Sequence, residues 1–187
     1  GCYYCLKTKR IPAHLIISMG RFTSLIFPEK GHLMPGHVSI VTHDHFAAST
    51  TMEDNAWSEI TAFMGALTKY YAARGEEPVF TETVLDFSHW RHTVIDCFPI
   101  PTKDAGMAPL FFQKAIRESG SEWATHRKLY EFKLPTKTIR NTVPSQFAYF
   151  MVQFAMDSGF AHHIEDKAKF SPNFAKEVVG GILELPE

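Results

Sequence analysis

The sequence predicts an α+β protein: an antiparallel sheet that carries one long helix, followed by a smaller α+β unit packed on it. Short apolar segments separated by turn residues recur on both sides of a single amphipathic segment. In that segment, apolar side chains recur at three- and four-residue steps, which is typical of a helix with one buried face. Because strands joined by short turns pair in antiparallel fashion, these observations indicate a sheet with a helix on it.

The first part of the chain is predicted to contain three strands, the long helix and two further strands. Thr51 is suited to cap the start of this helix and Gly75 to end it. Its predicted apolar face comprises Trp57, Ile60, Met64, Leu67 and Tyr71. The predicted strands cover residues 14–19, 23–27, 37–42, 78–86 and 91–98, and the helix covers residues 52–74.

A break at Pro99-Ile-Pro101 divides the chain into two predicted domains, residues 1–100 and 101–187. In the second domain, Pro109 suits the first turn of a helix that Gly120 ends. Ser171-Pro172 is typical of the start of a closing helix that runs to about residue 183. Between these helices, extended structure is predicted over residues 129–134, 147–156 and 159–165.

The composition restricts the classes of function. With a formal net charge of −1, the chain has no overall attraction to nucleic acid, so any RNA contact must rest on local basic patches. No apolar run of about 18 residues is present, and we therefore expect no membrane partner. The odd number of cysteines, three, favours a reducing compartment over a disulfide framework, and we expect an intracellular fragment of a longer protein.

Four side chains suggest a zinc site. Cys2 and Cys5 form a Cys-x-x-Cys pair, whose two sulfurs have the separation that a tetrahedral zinc ion needs. Two distant histidines, His45 after one strand and His92 inside another, can complete the shell. His43 is the rival of His45, since it lies two residues away. The alternative is that both cysteines are free thiols on a disordered end and that His45 faces solvent.

Longer motifs carry a family resemblance. Cys2-Tyr-Tyr-Cys5, the Gly36-to-His45 segment and the strand with His92 together resemble the histidine-triad superfamily. Motifs in the second half resemble the paired C-terminal domains of CwfJ-type splicing-associated proteins, and the resemblance covers nearly the whole chain. These motifs are His92 to Pro101, Gly106-Met-Ala-Pro-Leu-Phe-Phe, Ser121-Glu-Trp123, Phe147-Ala-Tyr-Phe150 and Gly159-Phe-Ala-His-His-Ile-Glu165.

The resemblance implies a histidine-triad fold without its chemistry. Alternate side chains of a strand share a face, so the three triad positions fall on His92, Val94 and Asp96. The middle histidine attacks phosphorus in active relatives, and valine has no lone pair with which to do so. The resemblance also implies that Cys2, Cys5, His45 and His92 hold a structural Zn²⁺ with no open position. We therefore predict that the chain is not an enzyme.

The CwfJ resemblance implies a nuclear RNA- and protein-binding module that acts in late splicing and in intron-lariat debranching or turnover. The implied partners are spliceosomal proteins, the lariat debranching enzyme and RNA, either an intron lariat or a snRNA. Two alternatives remain: a nucleotide-phosphate hydrolase or transferase that uses His92, His89 or Asp96, and a protein-docking scaffold without RNA contact. The candidate phosphate-binding residues are Lys7, Lys9, Arg10, Arg91 and Lys103.

Overall fold

A computed structural model describes residues 2–8, 10–28, 30–88, 90–119 and 126–184. Within these ranges the chain forms one sheet of eight strands, and every neighbouring pair of strands is antiparallel. Helices cover both faces of the sheet. The predicted α+β fold is confirmed. No helix in the described part of the chain has the length and apolar character needed to cross a bilayer.

The strands lie in the spatial order β1-β2-β3-β5-β4-β7-β8-β6. Their bounds are β1 (Ile16–Met19), β2 (Thr23–Ile26), β3 (Val38–Thr42), β4 (Glu76–Val84), β5 (Val94–Pro101), β6 (Tyr130–Lys133), β7 (Tyr149–Phe154) and β8 (Ser158–His163). The helices are α1 (Asp54–Ala72), α2 (Thr102–Ala105), α3 (Ala108–Glu118) and α4 (Phe174–Ile182), with short 3-10 helices at Leu6–Thr8, Ala13–Leu15 and Ile139–Asn141.

Buried apolar side chains form core clusters on both faces of the sheet. Val79 and Phe80 are consecutive in β4, so their side chains point to opposite faces. Phe80 packs into the core that the buried face of α1 covers, together with Met64. Val79 packs into the core under α3 and α4, which includes Phe112. The two-sided burial explains why β3 is buried at every position and β5 at most positions, rather than at alternate ones.

The C-terminal strands continue the sheet of the first part. β7 pairs with β4 over six residues, from Val79 opposite Phe154 to Val84 opposite Tyr149. Arg140 adds a second link, since its guanidinium donates to the carbonyl oxygens of Ser49 and Met52 at 2.9 Å and pairs with Asp54 at 2.7 Å. The predicted contact of the second unit with the first is therefore an extension of one sheet. The boundary near residue 100 stays a prediction.

Two carboxylates anchor other parts of this fold. Glu59 of α1 accepts hydrogen bonds from the backbone of Arg21 and Phe22 and from both the N–H and hydroxyl of Thr23, at 2.6–2.9 Å. Burial raises the pKa of Glu59, but these hydrogen bonds together outweigh burial and hold the pKa below its ordinary value. Gly20 borders this carboxylate closely, since a Cβ there would lie 2.5 Å from the Glu59 carboxyl carbon.

The second anchor is Glu82, which lies fully inside the protein. Its carboxylate accepts hydrogen bonds from the Ser49 N–H at 3.0 Å and the Tyr149 hydroxyl at 2.7 Å. Burial raises the pKa of Glu82 above its ordinary value, although these two hydrogen bonds act against burial.

Some predicted element boundaries are wrong. β5 begins at Val94, so His92 precedes this strand rather than lying inside it. The reason is local: the Thr42 carbonyl accepts from the His92 ring and the Thr93 N–H donates to the Thr42 hydroxyl. Side chains therefore replace one of the two backbone hydrogen bonds of this pair, while the Thr42 N–H still donates to the Thr93 carbonyl at 3.2 Å. Thr51 does not cap α1, because the helix begins at Asp54 and the Thr51 hydroxyl contacts the Ala48 carbonyl instead.

The predicted end of α1 at Gly75 agrees with the structure, whereas the closing helix begins slightly later than Ser171-Pro172 indicates. Gly75 takes a positive φ of 73° just beyond α1, the conformation for which a glycine is suited. The closing helix begins at Phe174, three residues after Ser171, whose hydroxyl accepts from the Asn173 N–H and donates to Glu177. The predicted helix end at Gly120 lies outside the described residues.

Candidate metal centre

Antiparallel pairing of β3 and β5 brings His45 and His92 to the same end of the sheet. Val41 of β3 lies opposite Val94 of β5, so the segment leaving β3 runs beside the segment entering β5. The centroids of the two imidazole rings are 4.2 Å apart. Cys2 reaches the same point from the N-terminus, and one ligand atom from each of Cys2, His45 and His92 lies within 4.8 Å of the other two. Three of the four predicted zinc ligands therefore come together.

Hydrogen bonding leaves the right atoms available on both histidines. The Thr42 carbonyl can only accept, so the 2.8 Å contact with His92 Nδ1 places the proton on Nδ1 and the lone pair on Nε2. His92 Nε2 and His45 Nε2 are both buried and have no hydrogen-bond partner among the residues that the structure describes. Such orphaned acceptors cost about 1–3 kcal/mol each, and a metal ion at this point would satisfy both. The donor set therefore fits zinc.

Burial also keeps His92 in the protonation state that a ligand needs. Desolvation lowers the pKa of His92, and the neighbouring His45 adds to this effect, while the hydrogen bond to the Thr42 carbonyl opposes it. A neutral imidazole with a hydrogen-bonded Nδ1–H is the usual form of a histidine ligand.

His43 does not compete for this position. Its Nδ1 lies 3.2 Å from the Arg21 carbonyl, to which it donates, and its Nε2 therefore accepts from the Ser24 hydroxyl at 2.8 Å. Both ring nitrogens of His43 are occupied on the β2 side, so His45 is the histidine that faces Cys2.

Cys5 stands apart from the three converging donors. It is buried, but it does not belong to the group of ligand atoms within 4.8 Å of one another. The Thr8 hydroxyl lies 2.9 Å from the Cys2 carbonyl and 2.8 Å from the Cys5 carbonyl, which holds the Cys-x-x-Cys turn together. The role of Cys5 as the fourth ligand stays a prediction from the sequence.

The three predicted triad positions have three different environments. His92 is one of the metal donors, Val94 is half-buried, and Asp96 is held by Ser39 of β3 and by His37, which directly precedes that strand. Asp96 Oδ1 accepts from Ser39 Oγ at 2.7 Å and from His37 Nε2 at 2.9 Å. Since the Leu33 N–H donates to His37 Nδ1, this imidazole carries its proton on Nε2 and donates a hydrogen bond from Nε2 to Asp96. Asp96 thus has a fixed polar contact, and an aliphatic side chain separates it from His92.

The N-terminal segment, residues 2–8, lies on the sheet beside Val94 and Asp96. Tyr3 and Tyr4 line a cavity of about 310 Å³ together with Ile26, Ser39 and Lys30. Burial raises the pKa of Tyr4, and the nearby Asp96 raises it further. These aromatic and basic residues were not among the predicted site residues. The signal for the two tyrosines in the sequence is the Tyr-Tyr pair between Cys2 and Cys5, whereas Lys30 has no such signal.

The phosphate-binding groove stays a prediction, and the structure describes four of its five residues. Lys7 is exposed within the N-terminal segment and Arg10 is exposed just after it, whereas Arg91 is paired with Asp86 at 2.8 Å. Lys103 lies beyond the opposite end of β5, and eight residues of strand span about 26 Å. Lys9 and His89 lie outside the described residues.

Comparison with known families identifies the chain. Residues 1–113 match the family model described as "Protein similar to CwfJ C-terminal". Residues 122–187 match the model described as "Protein similar to CwfJ C-terminus 2". The chain belongs to the CwfJ C-terminal family. The first CwfJ model includes the converging Cys2, His45 and His92, and the second includes strands β6 to β8. The predicted CwfJ resemblance is confirmed, while the histidine-triad likeness stays a prediction.

CwfJ relatives occur in animals and fungi. CWF19-like protein 2 of Homo sapiens is 39% identical over 98% of the chain, and CWF19-like protein 2 homolog of Drosophila melanogaster is 38% identical over 99%. Pre-mRNA-splicing factor cwf19 of Schizosaccharomyces pombe is 26% identical over 99%. The chain spans 20% of the human protein, 27% of the Drosophila protein and 30% of the yeast protein.

Proposed function

We propose that this chain is a non-catalytic RNA- and protein-binding module of a nuclear splicing factor, which acts in late splicing and in the debranching or turnover of intron lariats. The names of its relatives, among them a pre-mRNA-splicing factor, support the association with splicing. The observation that carries the non-catalytic assignment is the position of Val94 between the metal donors and Asp96. An aliphatic side chain at that point supplies neither a nucleophile nor a proton.

A structural zinc ion is part of this proposal. Cys2, His45 and His92 would hold it, with Cys5 as the fourth ligand that the sequence predicts. Two thiolates and two imidazoles make a closed tetrahedral shell, so the ion leaves no position for an activated water. Its function is then mechanical: it attaches the N-terminal segment to the ends of β3 and β5 and fixes the positions of Tyr3 and Tyr4.

The RNA-binding surface in this proposal is the N-terminal segment with its neighbours. Tyr3 and Tyr4 offer aromatic faces on which unstacked bases can stack, and single-stranded or branched RNA exposes such bases. Lys30 lines the same cavity, and Lys7 lies exposed in the segment itself. A few lysines beside an aromatic pair are sufficient for a salt-sensitive contact even though the chain as a whole has a net charge near zero. Spliceosomal proteins, including the lariat debranching enzyme, are the proposed protein partners.

The test is an RNA-binding titration with a branched oligoribonucleotide that contains a 2′–5′ linkage and a linear oligoribonucleotide of the same sequence. We expect salt-sensitive binding with preference for the branched RNA. The double variant Lys7→Ala/Lys30→Ala should reduce the slope of log K against log salt by about 0.7 per lost phosphate contact. Lys114→Ala, an exposed residue of α3 that is not among the predicted phosphate-binding residues, serves as the matched control and should leave the slope unchanged.

Two results would contradict the proposal in different ways. Absence of RNA binding at low ionic strength would leave only the protein-docking scaffold. Turnover of dinucleoside polyphosphates, adenylyl-amines or capped RNA that His92→Ala abolishes without loss of fold would make the chain an enzyme. A spectroscopic check of folding accompanies each variant, because His92 is buried.

A further inference from the structure

A second group of metal-competent side chains lies far along the chain from the first, at the end of β8. One ligand atom from each of His126, His163 and Glu165 lies within 4.8 Å of the other two. Glu165 Oε1 accepts from both the backbone N–H of His126, at 2.6 Å, and the His126 ring Nδ1, at 2.8 Å. The ring centroids of His126 and His163 are 4.4 Å apart.

An ion pair between His126 and Glu165 does not account for the whole arrangement. Within the described part of the chain, His163 Nδ1 is buried and has no hydrogen-bond partner, although the ring stands beside the paired imidazole and carboxylate. The His163 ring stacks on Phe147 at 4.7 Å, and the His126 ring meets the edge of Phe147 at 5.9 Å. Phe147 therefore fixes the orientation of both rings. A buried imidazole nitrogen that needs a partner, in a ring close to a second imidazole and a carboxylate, is an arrangement that a metal ion would complete.

We propose that His126, His163 and Glu165 form a second binding site, for a divalent transition-metal ion of the zinc class. Two imidazoles and one carboxylate are a donor set that Zn²⁺ and its neighbours accept readily and that Ca²⁺ and Mg²⁺ do not prefer. With three protein ligands the ion keeps at least one open coordination position. This site differs in kind from the one at Cys2, His45 and His92, because it contains no sulfur ligand.

The surroundings determine what the open position faces. All three residues line a cavity of about 530 Å³, which Lys128 and Lys169 also line. Lys169 is paired with Asp166 of the same cavity at 3.3 Å, and Lys128 donates to the Arg117 carbonyl at 3.2 Å. The open position therefore faces a polar lining with charges of both signs, where a water or another oxygen ligand can bind the ion. His162 also lines the cavity, but its Nδ1 donates to the Lys128 carbonyl at 2.7 Å, so its ring is fixed by the backbone.

The test counts metal ions and distinguishes their ligands. Tag-free chain is stripped with a chelator and titrated with Co²⁺, with Zn²⁺ in a parallel series. Bound metal per chain and the near-ultraviolet thiolate-to-cobalt band are then measured. We expect one equivalent that lacks this band, in addition to the thiolate-bound one. His163→Ala and Glu165→Gln should weaken the sulfur-free equivalent by at least about tenfold, since even loss of a residue that only orients a ligand costs about 10- to 100-fold.

The controls separate this site from the first one. His14→Ala, an exposed histidine outside both groups, should leave both equivalents unchanged. Cys2→Ser should remove the thiolate band and leave the sulfur-free equivalent in place. A wild-type chain that binds no sulfur-free equivalent would overturn the inference, and so would a folded His163→Ala variant that binds both equivalents with wild-type affinity. Because the two readouts are independent, failure at Cys2 would not count against the second site.

Discussion

Removal of zinc from the site at Cys2, His45 and His92 should lower the free energy of unfolding, and the number of buried nitrogens without a partner gives the size of the effect. Without the ion, the buried Nε2 atoms of His45 and His92 have no hydrogen-bond partner in the described part of the chain. At about 1–3 kcal/mol each, their satisfaction is worth about 2–6 kcal/mol. Linkage gives a compatible value, since free zinc at 100 times its dissociation constant stabilises the native state by about 2.7 kcal/mol. For a chain of 187 residues, the linkage value of about 2.7 kcal/mol corresponds to a rise of about 5–11 °C in the melting temperature.

The assay is thermal unfolding of the metal-free chain at increasing free Zn²⁺ concentration, followed by circular dichroism. Cys2→Ser and His92→Ala should each remove most of the zinc-dependent rise, and Cys5→Ser should also reduce it because Cys5 is the predicted fourth ligand. Cys97→Ala is the matched control: this cysteine is fully buried in the core under α1 and lies outside the donor group. A chain prepared without chelator that contains no zinc and melts at the same temperature with and without the ion would refute the reasoning.

Three further predictions concern the stability of the fold and are tested by chemical denaturation. Arg140→Ala should lower the free energy of unfolding by about 1.5–3 kcal/mol, because it removes charge-assisted hydrogen bonds between the C-terminal part and the start of α1. Gly20→Ala should cost about 1–3 kcal/mol by displacing the Glu59 carboxylate from its hydrogen bonds, whereas Gly180→Ala, with open space at its Cβ, should be neutral or stabilising. Glu82→Gln should gain stability relative to the wild type as pH rises above about 4.5, because the folded wild type binds more protons than the unfolded chain in that range; a difference that does not change with pH would contradict this.

The local structure could be read from the sequence to a large extent, since it depends on local patterns. The α1 face that recurs at three- and four-residue steps is the buried face, and Met64 and Leu67 lie on it as predicted. The strands were found because apolar residues and turn residues alternate over short distances. The errors lie where a side chain takes over a backbone hydrogen bond, as His92 does at Thr42. No periodicity in the sequence signals such a replacement.

Local sequence patterns do not predict the spatial order of the strands. β4 lies between β5 and β7, so its two neighbours come from different predicted domains. Nothing in a short window indicates that Val79 will face Phe154 across 75 residues, because the pairing depends on the two-sided burial of the whole sheet. The second group of donors was missed for a similar reason. His163 and Glu165 are close in sequence, but the third member, His126, arrives from a segment 37 residues earlier.

The two functions proposed for the N-terminal segment are thermodynamically coupled. Zinc at Cys2 would order the same segment that presents Tyr3 and Tyr4, so the metal-bound chain has already lost the conformational freedom that RNA binding would otherwise have to remove. Zinc should therefore tighten RNA binding, and by reciprocity RNA should tighten zinc binding by the same factor. Cys2→Ser should then weaken RNA binding although the cysteine itself contacts no base. If zinc changes the melting temperature but leaves RNA affinity unchanged, the ion supports the fold and the RNA-binding surface lies elsewhere.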